Sequence, residues 1–227
     1  MTAGIKGAYA VNMFTLGVPS TVVVDDYVPF VKGNKKGEDK TLSTKPTDDN
    51  SLWPMVLEKA LAKMRGNYLH INGGQAYNGV RYLRGAPWEN KKTKYMTKDE
   101  IWDFITDHLS KGNLLTAGSG EGSDTHNDPW GVVLGHAYTV AGTVTLPDKT
   151  RLIRARNPWG KDAYIGRYGG DSPQWTPANL AAVPDAQDFD DGYIYLPVDQ
   201  FKRSFRHIDA NMNAEKMKMD YYLKLDD

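Results

Sequence analysis

The sequence contains no cysteine. That excludes disulfides, thiolate metal sites, iron–sulfur clusters and a thiol nucleophile within these residues. Neither sign of charge is in excess, since 28 Lys and Arg balance 28 Asp and Glu. Such a chain lacks the dominant field that steers a protein to nucleic acid or to an acidic membrane surface. No long hydrophobic run is present. The nearest is the uncharged stretch 7–24, which is interrupted by Asn12, Gly17 and Pro19 and ends in Val22-Val23-Val24. It has neither the apolar block nor the Ala-x-Ala site of a secretion signal, and a strand pair is expected there.

What is present is the mix of a soluble globular chain: 227 residues, 40% apolar and 25% charged. At about 150 residues per domain this is one or two domains with a core that needs no staples. Aromatics at 11% and 22 glycines favour twisted sheets with wide loops and aromatic-lined clefts. Residues 8–16 and 21–24 read as a hairpin about a Gly17-Val18-Pro19-Ser20 turn. The polar stretch 32–50 is a joint between subdomains. Beyond it Trp53, Val56, Leu57, Ala60, Leu61 and Met64 recur at helical spacing, with Asn50 or Ser51 as cap, Pro54 in the first turn and Gly66 as stop. Thr97-Lys98-Asp99-Glu100 is a capping box that opens a second helix, buried along Ile101, Trp102, Ile105 and Leu109. Strands are expected at 114–117, 134–144, 150–155, 192–196 and 220–225, with long loops between 156 and 184. A hairpin, two helices and then strands make an α+β fold with an antiparallel sheet and two or more flanking helices.

Of the five histidines only His136 has informative neighbours. It starts the strand Leu134-Gly135-His136-Ala137-Tyr138, and the return strand ends in Arg154-Ala155-Arg156-Asn157-Pro158-Trp159-Gly160. A hairpin centred near Pro147 puts His136 opposite residues 157–159. Opposed side chains have Cβ atoms ~4.5–5.5 Å apart, so an imidazole and a carboxamide can meet there. Asn157 then accepts the Nδ1–H of the ring and fixes its tautomer. Pro158 ends the ladder, and Trp159 covers the pair. On spacing alone, a plain turn at Asn157-Pro158 beside a structural strand histidine stays open.

These residues resemble the calpain family of papain-like cysteine proteases, with its Gly-His-Ala-Tyr strand and its Arg-x-Arg-Asn-Pro-Trp-Gly strand. The resemblance extends to Phe14, Gly17 and Val22-Val23-Val24-Asp25-Asp26-Tyr27-Val28-Pro29, to the helix from Trp53 with Leu57-Glu58-Lys59-Ala60 and Ala62-Lys63, and to Gly73-Gly74 and Gly85. Tyr164, Gly166, Tyr168, Pro173, Trp175 and Asp190-Asp191-Gly192 also fit. It implies a partial papain-like core. Residues 1–45 are the remnant of a cysteine-bearing subdomain, 46–210 the His/Asn subdomain, and 211–227 an extension toward a following domain. It implies His136 as general base and later general acid, with Asn157 as its orienter and Trp159 as its shield. Gly135, Gly73 and Gly74 are implied to contact the substrate backbone, where a side chain would block close approach.

The implied activity is cleavage of polypeptide substrates through an acyl-enzyme, in the cytoplasm, once the chain is joined to an upstream cysteine-bearing subdomain. The 227 residues alone are expected to be inactive. No nucleic acid and no membrane span enter this reading. The family's calcium site is implied only weakly. Ala163, Gly170 and Tyr193 stand where carboxylates are expected, and only Asp191 matches, with Asp162 or Asp171 as substitutes. Calcium takes about six to eight oxygens, so no cofactor is expected with certainty. Residues 185–192 read as a solvated acidic loop, and the stretch around His126 and Asp128 is a weak metal candidate. Two alternatives remain: a non-catalytic calpain-like binding or regulatory module, and a carbohydrate-binding sheet that uses Trp130, Trp159 and Trp175 as platforms.

Overall fold

The computed structural model describes residues 2–5, 7–33, 40–42, 44–47, 49–161, 163–187 and 191–213. The strand expected at 220–225, most of the expected C-terminal extension, Asp162 and Asp188–Asp190 lie outside the described residues. Contacts group the described residues into two compact units, Met1–Gly74 with Asn78–Gly85, and Gln75–Tyr77 with the residues from Ala86 onward.

The first unit is built on an antiparallel sheet of β1 (Thr2–Ile5), β2 (Ala8–Thr15) and β3 (Val18–Asp25) in that order. Thr15 pairs with Val18, so the turn is Leu16-Gly17, both at positive φ, rather than the expected 17–20. Two residues of this conformation match the twist of a hairpin. Pro19 is therefore in a strand, and β3 is an edge strand, where a missing donor is tolerated. β4 (Phe30–Val31) and β5 (Lys40–Thr41) form a small pair.

Helix α1 (Trp53–Arg65) buries Val56 and Ala60 against Val11, Met13 and Val24 of the hairpin. The internal boundary expected at 45/46 and the contact division thus fall at different places, because α1 finds its apolar partner in the hairpin. Its N-cap is Leu52, without a side-chain cap. Asn50 sits at positive φ in a Thr47–Ser51 turn, so the helix starts beyond both expected caps. Trp53 is half-exposed, at the edge of the apolar face. Helix α2 (Ala76–Arg84) had no clear sequence signal. The turn after it needs Gly85, where a Cβ would come within 2.4 Å of Phe14.

The second unit is a six-stranded sheet. Its elements in chain order are β6 (Trp88–Lys92), α3 (Lys98–Ser110), β7 (Leu114–Ser119), β8 (Ala137–Thr145), β9 (Arg151–Arg156), α4 (Pro177–Ala182), β10 (Tyr193–Pro197), α5 (Val198–Ser204) and β11 (Phe205–Asn211). The strands lie in the order β10-β9-β8-β7-β11-β6, each pair antiparallel. The α+β expectation is met. The main core joins Ile101 and Ile105 of α3 and Phe201 of α5 to Leu115, Val140, Ile153, Leu196 and Ile208 of the sheet. A smaller cluster holds Tyr168, Trp175 and Tyr195, with the Trp175 Nε1–H on the Gly169 carbonyl at 2.9 Å. Trp175 is thus interior, which removes one platform of the carbohydrate alternative. Burial also raises the Tyr164 phenol pKa, and its hydroxyl donates to Gln200 Oε1 at 2.7 Å.

The capping box of α3 is complete: Thr97 Oγ1 accepts the Glu100 N–H at 3.1 Å, and Glu100 Oε2 accepts the Thr97 N–H at 2.6 Å. These bonds hold the Glu100 carboxyl below the usual carboxylate range. Thr97→Ala is expected to cost about 1 kcal/mol. The readout is a lower urea midpoint at unchanged slope.

Candidate active site

His136 lies just before β8, where Leu134 and Gly135 are still loop, so the strand begins later than expected. Its backbone is gripped from β7. The His136 N–H donates to Ser119 Oγ at 2.9 Å, and the Ser119 N–H donates to the His136 carbonyl at 2.9 Å. Ser119 was not singled out in the sequence, since nothing in the strand Leu-Leu-Thr-Ala-Gly-Ser marks it. Across the hairpin Thr139 pairs with Arg156 and Val140 with Ala155, in the expected register, with a bulge before Gly142. That ladder delivers Asn157 to the histidine: Nε2 of His136 and Oδ1 of Asn157 are 3.0 Å apart. The nitrogen is Nε2, not the expected Nδ1. Cβ spacing fixes that the two side chains meet, but the ring's rotation decides which nitrogen arrives.

Asn157 is 3% exposed, and its Oδ1 also accepts the Trp159 N–H at 3.1 Å. An atom that accepts from a backbone N–H is the oxygen, which settles the amide orientation. The shared proton therefore rides on Nε2, which in the neutral ring leaves the lone pair on Nδ1. The Asn157 N–H donates to the Gly192 carbonyl at 2.8 Å. Glycine is required at 192, since a Cβ there would lie 2.7 Å from the Asn157 carbonyl oxygen.

The Trp159 ring lies 4.4 Å from the imidazole, tilted 44°. Tyr138 meets the same imidazole edge-on at 5.4 Å. Trp159 is 54% exposed, so it caps the pair from the solvent side. Gly135 has φ +56°, and a Cβ there would come within 2.2 Å of the Gly122 carbonyl oxygen. Packing alone therefore requires glycine at 135. Gly73 and Gly74 belong to the first unit; they are exposed at positive φ, and an added Cβ would meet nothing within 4 Å.

Among the described residues no group of three or more His, Cys, Asp or Glu gathers that could hold a metal ion. Asp191 turns its carboxylate to the Tyr193 N–H at 2.7 Å. Asp128, a weak metal candidate in the sequence, accepts the Trp130 and Val132 N–H groups and the Ser204 hydroxyl. Nor is Asp185, at the start of the expected acidic loop, simply solvated. Asp185 pairs with Arg154 and accepts the Tyr195 hydroxyl at 2.8 Å, next to the Arg154 guanidinium stacked 3.6 Å over Tyr193. Calcium takes about six to eight oxygens, and Asp162, one of the expected substitutes, lies outside the described residues.

Comparison with known proteins gives the same direction. Residues 2–211 match the family described as calpain family cysteine protease. The chain belongs to this family. It is 30% identical over 213 residues to the calpain-type cysteine protease DEK1 of Zea mays, a match covering 89% of this chain and 9% of that protein. Against calpain-9 of Rattus norvegicus it is 30% identical over 210 residues, covering 87% of this chain and 29% of that protein. For the calpain-1 catalytic subunit of Macaca fascicularis the identity is 26%, over 95% of this chain and 30% of that protein. The chain thus spans less than a third of the length of these calpain relatives. Among the described residues no helix is long and apolar enough to cross a membrane.

Proposed function

We propose that this chain carries the acid–base half of a calpain-type cysteine endopeptidase and that the attacking thiol comes from polypeptide outside these residues. The observation that carries the reading is the 3.0 Å contact between His136 Nε2 and a buried, twice-bonded Asn157 Oδ1 beneath Trp159. In this reading Nδ1 of His136 takes the proton of a neighbouring thiol, and the imidazolium stabilises the thiolate. The thiolate attacks a peptide carbonyl, and the tetrahedral adduct collapses as Nδ1–H protonates the leaving amine. Water, deprotonated by the same nitrogen, then hydrolyses the thioester. Asn157 holds Nε2–H throughout, and Trp159 keeps water off that bond. Gly135, Gly73 and Gly74 contact the extended substrate backbone. Open space at the positive-φ glycines 73 and 74 is what a close backbone approach requires. No step runs through calcium. Residence in the cytoplasm belongs to the same proposal.

The test joins the chain to the segment encoded upstream in its own reading frame and follows cleavage of an unstructured protein substrate. Hydrolysis is expected, and His136→Ala is expected to reduce kcat by about 10³-fold or more. Undiminished cleavage by the His136→Ala protein removes the assignment.

The absence of cysteine favours one other reading, a calpain-like binding or regulatory module without catalysis. An upstream frame without a cysteine selects it.

A further inference from the structure

A cleft of about 520 Å³ opens in the second unit where β6 and β11 meet the end of α5. Its walls carry five strong cations, Lys92, Lys94, Lys202, Arg203 and Arg206, and no carboxylate. In a chain whose charges balance overall, this is a local excess of positive charge inside a concavity, the arrangement that focuses field on an anion.

The cations are only lightly engaged. Lys202 donates to the Met96 carbonyl at 2.6 Å and lies within electrostatic reach of the Glu100 carboxylate. Arg206 meets Glu121 at 2.7 Å, but both are well exposed, and such a pair contributes little. Arg203 lies 5.9 Å from the Trp130 ring, and Lys94 sits 4.5 Å over Tyr95. Among the described residues no ion pair is formed by Lys92.

One wall is aromatic: Tyr77 and Trp88 stack at 3.8 Å with 15° between their planes. At the floor His207 fits over Gly118, where a Cβ would lie 2.2 Å from the imidazole. Its Nε2 is 3.3 Å from the buried Asp209, whose other oxygen accepts Asn90 Nδ2 at 2.7 Å. The histidine is thus held in place from behind, and the amide of Gln75 lines the same cleft.

From this combination of concavity, a lining with five cations and no carboxylate, and an aromatic wall, we infer a binding site for a small phosphorylated ligand with a planar ring, of the nucleoside di- or triphosphate class. Lys92, Lys94 and Arg206 take the phosphates, and the Tyr77–Trp88 wall takes the ring. A cleft of this volume has room for a mononucleotide, whereas an acidic protein surface would call for a flatter basic face. The inference uses neither His136 nor Asn157 and does not depend on the protease reading.

The test is titration calorimetry on the 227-residue chain with ATP, inorganic tripolyphosphate and a Glu-rich octapeptide as probes. ATP is expected to bind one-to-one, at least severalfold more tightly than tripolyphosphate and more weakly as salt rises. Lys92→Ala and Arg206→Ala, both at exposed positions, should each weaken ATP binding about tenfold, the scale of one lost charge-assisted hydrogen bond. The proposal is overturned by absence of ATP binding at millimolar concentration, by affinity indifferent to both variants, by equal affinity for tripolyphosphate, or by preference for the peptide.

Discussion

Asn157→Ala, in the protein supplied with its thiol, is expected to lower kcat about 10²-fold while KM changes little. The side chain is not placed to grip substrate; its oxygen is spent on His136 Nε2 and on the Trp159 N–H. Removing it frees the imidazole to exchange its proton between nitrogens and to rotate, so a smaller share of molecules presents Nδ1 as a base. In a serine triad the wrong tautomer costs about 10⁴-fold. A neutral carboxamide orients without adding charge, which is why the smaller figure is expected here. Two measurements separate orientation from collapse of the fold. The ring nitrogens of His136, read by NMR on this chain, should lose their preference for the Nε2–H tautomer. The backbone should stay ordered, because the Asn157 N–H to Gly192 bond survives the substitution. A variant that keeps the tautomer and full kcat would remove Asn157 from the mechanism.

Phe205→Ala is expected to destabilise the chain by roughly 3–5 kcal/mol. Phe205 is 1% exposed, stacked on Phe201 at 4.6 Å and met edge-on by Tyr138 at 5.3 Å. Its loss opens a cavity among large rings that cannot close in, and it forfeits two aromatic contacts. A fall in Tm of about 10 °C follows for a chain of this size. The damage should also reach the candidate site, because Tyr138 touches both Phe205 and His136. The His136 ring signals are expected to broaden in the variant below its melting point. A Tm within a degree or two of the parent's would show that this ring cluster is not the keystone of the second unit.

Much of the candidate site was legible because it lies on a hairpin. Local pairing and a count from Pro147 suffice to bring His136 to Asn157, and the observed register has Thr139 against Arg156. What the count could not supply was the nitrogen used or the hold of Ser119 from β7, a strand outside that hairpin. The same limit explains the elements that were missed. Strand β6 reads Trp-Glu-Asn-Lys-Lys, with no apolar alternation, and becomes a strand only because β11 pairs with it. The cation cleft is a product of that long-range pairing, joining residues more than a hundred positions apart.

By itself the sequence determined that no thiol resides in these residues, that α1 and α3 are helices, and that an imidazole and a carboxamide share one hairpin. Composition, helical period and short-range register are local properties, and a single chain states them openly. Only the tertiary structure decided which neighbour α1 buries its face against, which side of the His136 ring Asn157 receives, and that five scattered cations converge on one cleft. Those outcomes depend on which apolar faces and unpaired strand edges find each other across the chain, and no local pattern encodes that choice.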